Sequence, residues 1–239
     1  MADATETALT PDIAASMAMI RGELAALRGN ANGFRAGADE SARVLEGEDL
    51  LNPQSGGVRI HRAEGFLALG EPRAALEVLA DVTGGGNDLL LAMVRSIAAA
   101  NLGDDEAHAA IGTTFEFPDQ VSWTKGLRRK LAATDAALAS RWEEARMAYG
   151  EAMATFRAQE AHLWEAYIGL EFDAFLGAAS EDARRAGEEA AEFFTSRGAG
   201  GVVDRYRAAF QGTPAPAAIG TRAATATIAL DTASEVEAR

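Results

Sequence analysis

Apolar and polar positions alternate along this chain with the period of helices. Trp142, Ala145, Tyr149, Ala152, Met153 and Phe156 follow one another at steps of 3, 4, 3, 1 and 3 residues, which holds them on one face of an α-helix. The next segment, Leu163 to Phe175, is apolar nearly all round, so a helix there must be covered on more than one side. Ala183, Ala186, Ala190, Phe193 and Phe194 form a further one-sided stripe, ended by the glycine of "SRG" at 196–198. One-sided helices thus alternate with enclosed ones. Helical patterns separated by short Gly, Pro or Asn breaks run from Ile13 to about Phe210. Thr10 suits the N-cap of the first, Pro11 its first position and Asp12 its positive end.

The turns inside successive helix pairs fall at Gly29, Gly70, Gly103, Ser140 and Gly177, at intervals of 41, 33, 37 and 37 residues. A helix–turn–helix unit recurring at such spacing is the signature of a helical-repeat array. The predicted fold is all-α: a right-handed helical-hairpin solenoid of about five helix pairs, closed by a short capping helix around Val202 to Phe210. Residues 1–11 read as a leader and 12–210 as the repeat domain. Residues 211–239 are rich in Ala, Thr and Pro without an amphipathic face, and read as a disordered tail or linker.

Small residues sit where paired helices press together. Ala63, Gly70 and Ala75 do so in the second unit with the large Phe66 and Leu79 beside them, and Ala133, Ala136, Ala145 and Ala152 in the fourth with the large Trp142 and Tyr149. Gly177, Ala183 and Ala190 follow in the fifth, and Gly22, Ala25 and Ser96 mark the first and third. In these residues the chain resembles the tetratricopeptide (TPR) family, and "RWEEARMAY" is its most family-like string. The run "FRAQEAHLWEAYIGLEFDAFLG" with "EDARRAGEEAAEFFTSRGA" is similar to the C-terminal helical arms of bacterial regulators, LuxR-type activators and adenylate-cyclase-linked ATPases among them. The resemblance implies a partner-binding or sensing arm in signal transduction, with the first helix of each unit lining a concave surface.

In that register the groove receives Ile60, Glu64 and Leu67, then Leu90, Met93 and Ile97, then Lys130 and Thr134, then Trp164, Tyr167 and Glu171. Its mixed apolar and polar character suits a peptide or a partner helix. Trp142 and Tyr149 are expected in the seam between helices, and Trp164 and Tyr167 facing the groove, partly accessible.

Composition narrows the classes. The formal net charge of −14 opposes a nucleic-acid partner, which calls for a basic footprint. No apolar run is long enough to span a bilayer, and "MADATETALTPD" lacks a signal-peptide pattern. With no cysteine, disulfides and thiolate chemistry are excluded, and a cytoplasmic location is expected.

Motifs for chemistry are sparse. "TGGGND" lacks the Lys-Ser/Thr pair and buried strand of a phosphate loop, and reads as a flexible turn. The three histidines, His61, His108 and His162, are too far apart for a helical metal pair, and no H-E-x-x-H occurs. His162 lies near Glu160 and Glu165, which reads as a helix start beside a weak carboxylate–imidazole set. Acidic runs such as "EGED", "DDE" and "GEEAAE" read as solvated faces and helix starts. The one basic cluster, Lys125, Arg128 and Arg129 beside Lys130, offers an acidic peptide or phosphate a site, against the simpler reading of a solvated face. Neither a cofactor signature nor a metal set is found. The expected function is a non-enzymatic interaction or regulatory scaffold with a protein or peptide partner. The alternatives are a ligand-sensing arm and a helical enzyme using carboxylates or His162.

Overall fold

A computed structural model describes residues 10–45, 53–82, 88–114 and 122–217. The leader up to residue 9, "EGED", the glycine run at 83–87 and the tail from 218 lie outside the described residues. Among the described residues the chain is all-helical, with eleven helices and no strand.

Ten of these helices form five hairpins. They are α1 (Pro11–Leu27) with α2 (Ala31–Val44), α3 (Pro53–Ala68) with α4 (Pro72–Leu79), α5 (Asp88–Leu102) with α6 (Asp105–Thr114), α7 (Ser122–Leu138) with α8 (Trp142–Ala158), and α9 (His162–Leu176) with α10 (Glu181–Ser196). The predicted closing helix is α11 (Gly201–Ala209). Four of the five expected turn residues, Gly29, Gly70, Gly103 and Ser140, take positive φ, as a tight reversal after a helix end requires. Gly177 differs: its φ of −59° simply continues the helical conformation. Asn30, Asp104 and Ser180 cap the helices that follow by accepting backbone N–H bonds from Gly33, Ala107 and Ala183. Thr10 stands at the N-cap of α1, but its side chain makes no capping bond.

The hairpins pack in chain order as two layers. The odd-numbered helices touch one another, α1 with α3, α3 with α5, and α5 with both α7 and α9. Each even-numbered helix packs on its own partner, and α2, α4, α6 and α8 also touch the odd helix that follows. The small residues expected at the seams are enclosed, with Ala63, Ala75, Ala133, Ala136, Ala145, Ala152 and Ala183 all fully buried.

One feature closes the inner layer. α11 touches α3, α5, α9 and α10. Its Arg205 donates from Nε to Ala68 O at 2.7 Å and from Nη2 to Ala26 O and Leu27 O at 3.3 and 3.1 Å. Those are the last-turn carbonyls of α3 and α1, Ala26 O also accepting from Gly29 N at 2.8 Å, and a cation is favoured at that end of a helix. Beyond α11 the chain keeps to the same edge: Gln211 N donates to Asn101 O at 2.7 Å and Ala215 N to Phe175 O at 2.6 Å. Residues 201–215 therefore form a strap across the C-terminal ends of α1, α3, α5 and α9.

Candidate functional site

The residues expected to line a groove do converge, but on a closed interior. Ile60, Leu67, Met93, Ile97, Lys130, Thr134 and Glu171 are buried, three of them polar and fully so. Trp164 and Tyr167 are 9% and 4% exposed, where partial accessibility was expected. Glu64 is also buried, and Leu90 is half-buried. An open concave surface is thus not what these side chains line. The physical reason is the strap together with the contact of α9 on α5, which fills the space with side chains. Tyr149 is fully buried in its seam as expected, while Trp142 is only half-buried. Trp123 packs at the entry to α7, edge-on to Phe156 with centroids 5.0 Å apart.

At the centre of this interior is a sealed polar chain. Lys130 Nζ lies 2.9 Å from Glu171 Oε2 and donates to Ser96 Oγ at 2.5 Å. Glu171 Oε1 accepts from Thr134 Oγ1 at 2.6 Å and from the Tyr149 hydroxyl at 2.7 Å. The His108 ring reaches Ser96 Oγ at 3.0 Å. Burial holds the Lys130 ammonium below the ordinary lysine range, opposed by Glu171. Burial, aided by the Lys130 charge, pushes His108 down to about 3, so the ring is neutral. The Tyr149 and Tyr206 hydroxyls are held well above the usual range by burial and by Glu171. A charge pair without solvent access offers no route to a substrate. What it does is fix one register of α5, α7, α8 and α9, since each charge is tolerable only with its partner.

A second cluster sits at the edge of the same interior and reaches solvent. His61 Nδ1 of α3 lies 3.1 Å from Glu23 Oε2 of α1 and 2.8 Å from Glu64 Oε2 of α3. The side chains of His61, Glu23 and Glu64 are 33%, 15% and 9% exposed. The two carboxylates raise His61 to about 10, against the opposing effect of burial. Glu64 is raised by its burial, with the His61 charge opposing. Nothing in the sequence selected this trio. His61 and Glu64 stand at the i, i+3 spacing that shares a helix face, but Glu23 joins them only through the packing of α1 on α3.

The outward candidates behave differently. Lys125, Arg128 and Arg129 are exposed on α7, while Lys130 turns inward, as helical periodicity demands. With Thr124 and Ala132 they line a depression of about 360 Å³, and Arg129 pairs with Glu151 at 2.8 Å. His162 opens α9 and is 52% exposed, 3.3 Å from Glu165. That carboxylate is already held by Arg157 at 2.6 Å, which suits it poorly to act as a base. A cleft of about 310 Å³ beside them is floored by Met153, Ala166, Ala190 and Phe193.

A further surface feature lies on α1. Ala15, Ala18, Met19, Gly22 and Ala26 face inward, whereas Ile13, Met17, Ile20 and Leu24 form an opposite ridge, 42–49% exposed. Among the described residues, no helix is long and apolar enough to cross a membrane. Comparison with known proteins gives no matching family model, curated protein or solved structure.

Proposed function

We propose that this chain is a non-enzymatic interaction module of TPR-like hairpins, and that its partner docks on the outer ridge of α1 instead of in a concave groove. The observation that supports this is the ridge itself: four large apolar side chains, Ile13, Met17, Ile20 and Leu24, left open to water at spacings of 4, 3 and 4. Exposed apolar side chains in a contiguous row favour a covering partner. The spacing is that of a helix–helix seam, so the complementary shape is another helix. Arg28 flanks the ridge on one side, exposed in an otherwise acidic protein, together with Arg21, which pairs with Glu40 at 3.0 Å. The fitting occupant is accordingly an amphipathic helix of a partner protein, with acidic residues bordering its apolar face.

A photoreactive amino acid at Met17, activated in native cells, tests this when the crosslinked segment is mapped and synthesised. The expected segment is an acidic amphipathic helix that binds the purified chain, and Ile20→Glu weakens binding on the order of tenfold or more with the melting temperature unchanged. Crosslinks confined to second copies of the chain, or binding indifferent to Ile20→Glu, would overturn the proposal.

The sensing-arm reading draws support from the cleft above Met153 and Phe193, with His162, Glu165 and Arg197 at its rim. Melting shifts from a metabolite panel that vanish in Phe193→Ala favour it.

A further inference from the structure

The trio on α1 and α3 has the makings of a site for an ion. We infer that Glu23, His61 and Glu64 form a binding site for a divalent transition-metal ion of the zinc type, clamping the first hairpin to the second.

The donor set comes first. One imidazole nitrogen and two carboxylate oxygens approach from two helices, all within 4.8 Å of one another. Metal–ligand bonds to such donors are about 2.0–2.2 Å, which puts neighbouring ligand atoms roughly 3 Å apart around the ion. The separations of 3.1 and 2.8 Å from His61 Nδ1 are already of that size, so small rotamer adjustments would admit the ion. A nitrogen among the donors selects zinc and its first-row neighbours over calcium and magnesium, which prefer oxygen alone. The ion takes the place of the proton that the two carboxylates hold on His61, which is released to solvent; the two carboxylates with the neutral imidazole then carry a charge of −2, which a divalent ion neutralises.

Tyr167 of α9 is 4% exposed. Glu23 and Glu64 are both close enough to act electrostatically on its hydroxyl. Such a hydroxyl is what the outer shell of a metal site uses to orient a ligating carboxylate. On the opposite side the part-exposed His61 ring leaves a path from solvent and room for water on the ion. Arg59 of α3 pairs instead with Asp81, and Arg21 of α1 with Glu40, so neither cation fills the site.

Titration calorimetry of the full chain, first dialysed against a chelator, tests the assignment with zinc and with cobalt. The expected result is one ion per chain, a raised melting temperature and a visible cobalt spectrum. His61→Ala and Glu64→Gln should each weaken binding on the order of 100-fold or more, and His162→Ala should leave it unchanged. Because Glu64 is buried, a readout in the unaltered chain guards against misfolded variants. The protein has three histidines, and Mn²⁺ should broaden the ring resonances of His61 while sparing His108 and His162. Absence of binding, binding that survives His61→Ala in a folded variant, or broadening centred on His162 would each overturn the site.

Discussion

At the scale of single residues, the interior depends on polar groups that are bearable only in combination. Glu171 joins Lys130, Thr134 and Tyr149 with no solvent to replace any of them. Removing one charge strands the other, so Lys130→Met alone is expected to cost about 3–5 kcal/mol of unfolding free energy. Lys130→Met combined with Glu171→Leu should recover most of that loss, because an apolar pair needs no compensation. Urea denaturation of the three proteins decides it, and an additive double variant would contradict the coupling. His108 supplies the pH dependence. It faces Ser96 and Lys130, with Asp135 near enough to act weakly. Its folded value of about 3 lies below the ordinary 6.5 of the unfolded chain. Above pH 6.5 both states are neutral there and nothing changes. Below it only the unfolded state takes up the proton, so stability falls between pH 6.5 and about 3. On this basis the unaltered chain loses about 2 kcal/mol more than His108→Gln between pH 7 and pH 5. Equal losses would show that the ring is accessible to protons.

Among the elements, the strap explains why certain turns must be glycine. Gly29 and Gly70 both have φ of +77°, which strains any side chain. A Cβ at Gly70 would also stand 3.0 Å from the Arg205 carbonyl oxygen, a backbone atom that cannot rotate away. Gly70→Ala is therefore expected to destabilise by more than the roughly 1 kcal/mol that left-handed backbone alone costs. Arg205→Lys should resemble Arg205→Ala in thermal melts, since one ammonium cannot span three carbonyls on two helices. Full rescue by lysine would reduce Arg205 to a simple charge. The hairpins themselves were legible in advance, because periodicity and turn residues are local properties. The covering of each helix was not. "PDIAASMAMIRGELAAL" and "HLWEAYIGLEFDAFL" are both apolar nearly all round, yet α9 is enclosed by α5, α10 and α11 while α1 keeps an open ridge. Amphipathicity tells how many faces want cover, and only the packing tells which of them get it.

For the whole molecule, the same limit decided the reading of the site. The odd-numbered helices pack on one another and carry the residues that the TPR resemblance set along a groove, nearly all of them buried. Whether that surface is open depends on curvature and on the strap, neither of which leaves a periodic trace. Lys130 and Glu171 fall 41 positions apart at unremarkable helical places, and nothing local marks them as a buried pair. Glu23, His61 and Glu64 were hidden for the same reason, being assembled by the contact of α1 with α3. The central claim is that the inner face is sealed and the working surfaces lie at its edge and outside. The chain carries only two lysines, Lys125 exposed on α7 and Lys130 inside, so an amine-reactive label followed by peptide mass analysis reads the claim directly. In the folded protein Lys125 should be modified and Lys130 spared, with Lys130 reacting only as denaturant approaches the unfolding midpoint. Modification of both at similar rates, with helix content intact, would mean that the groove is open and the account is wrong.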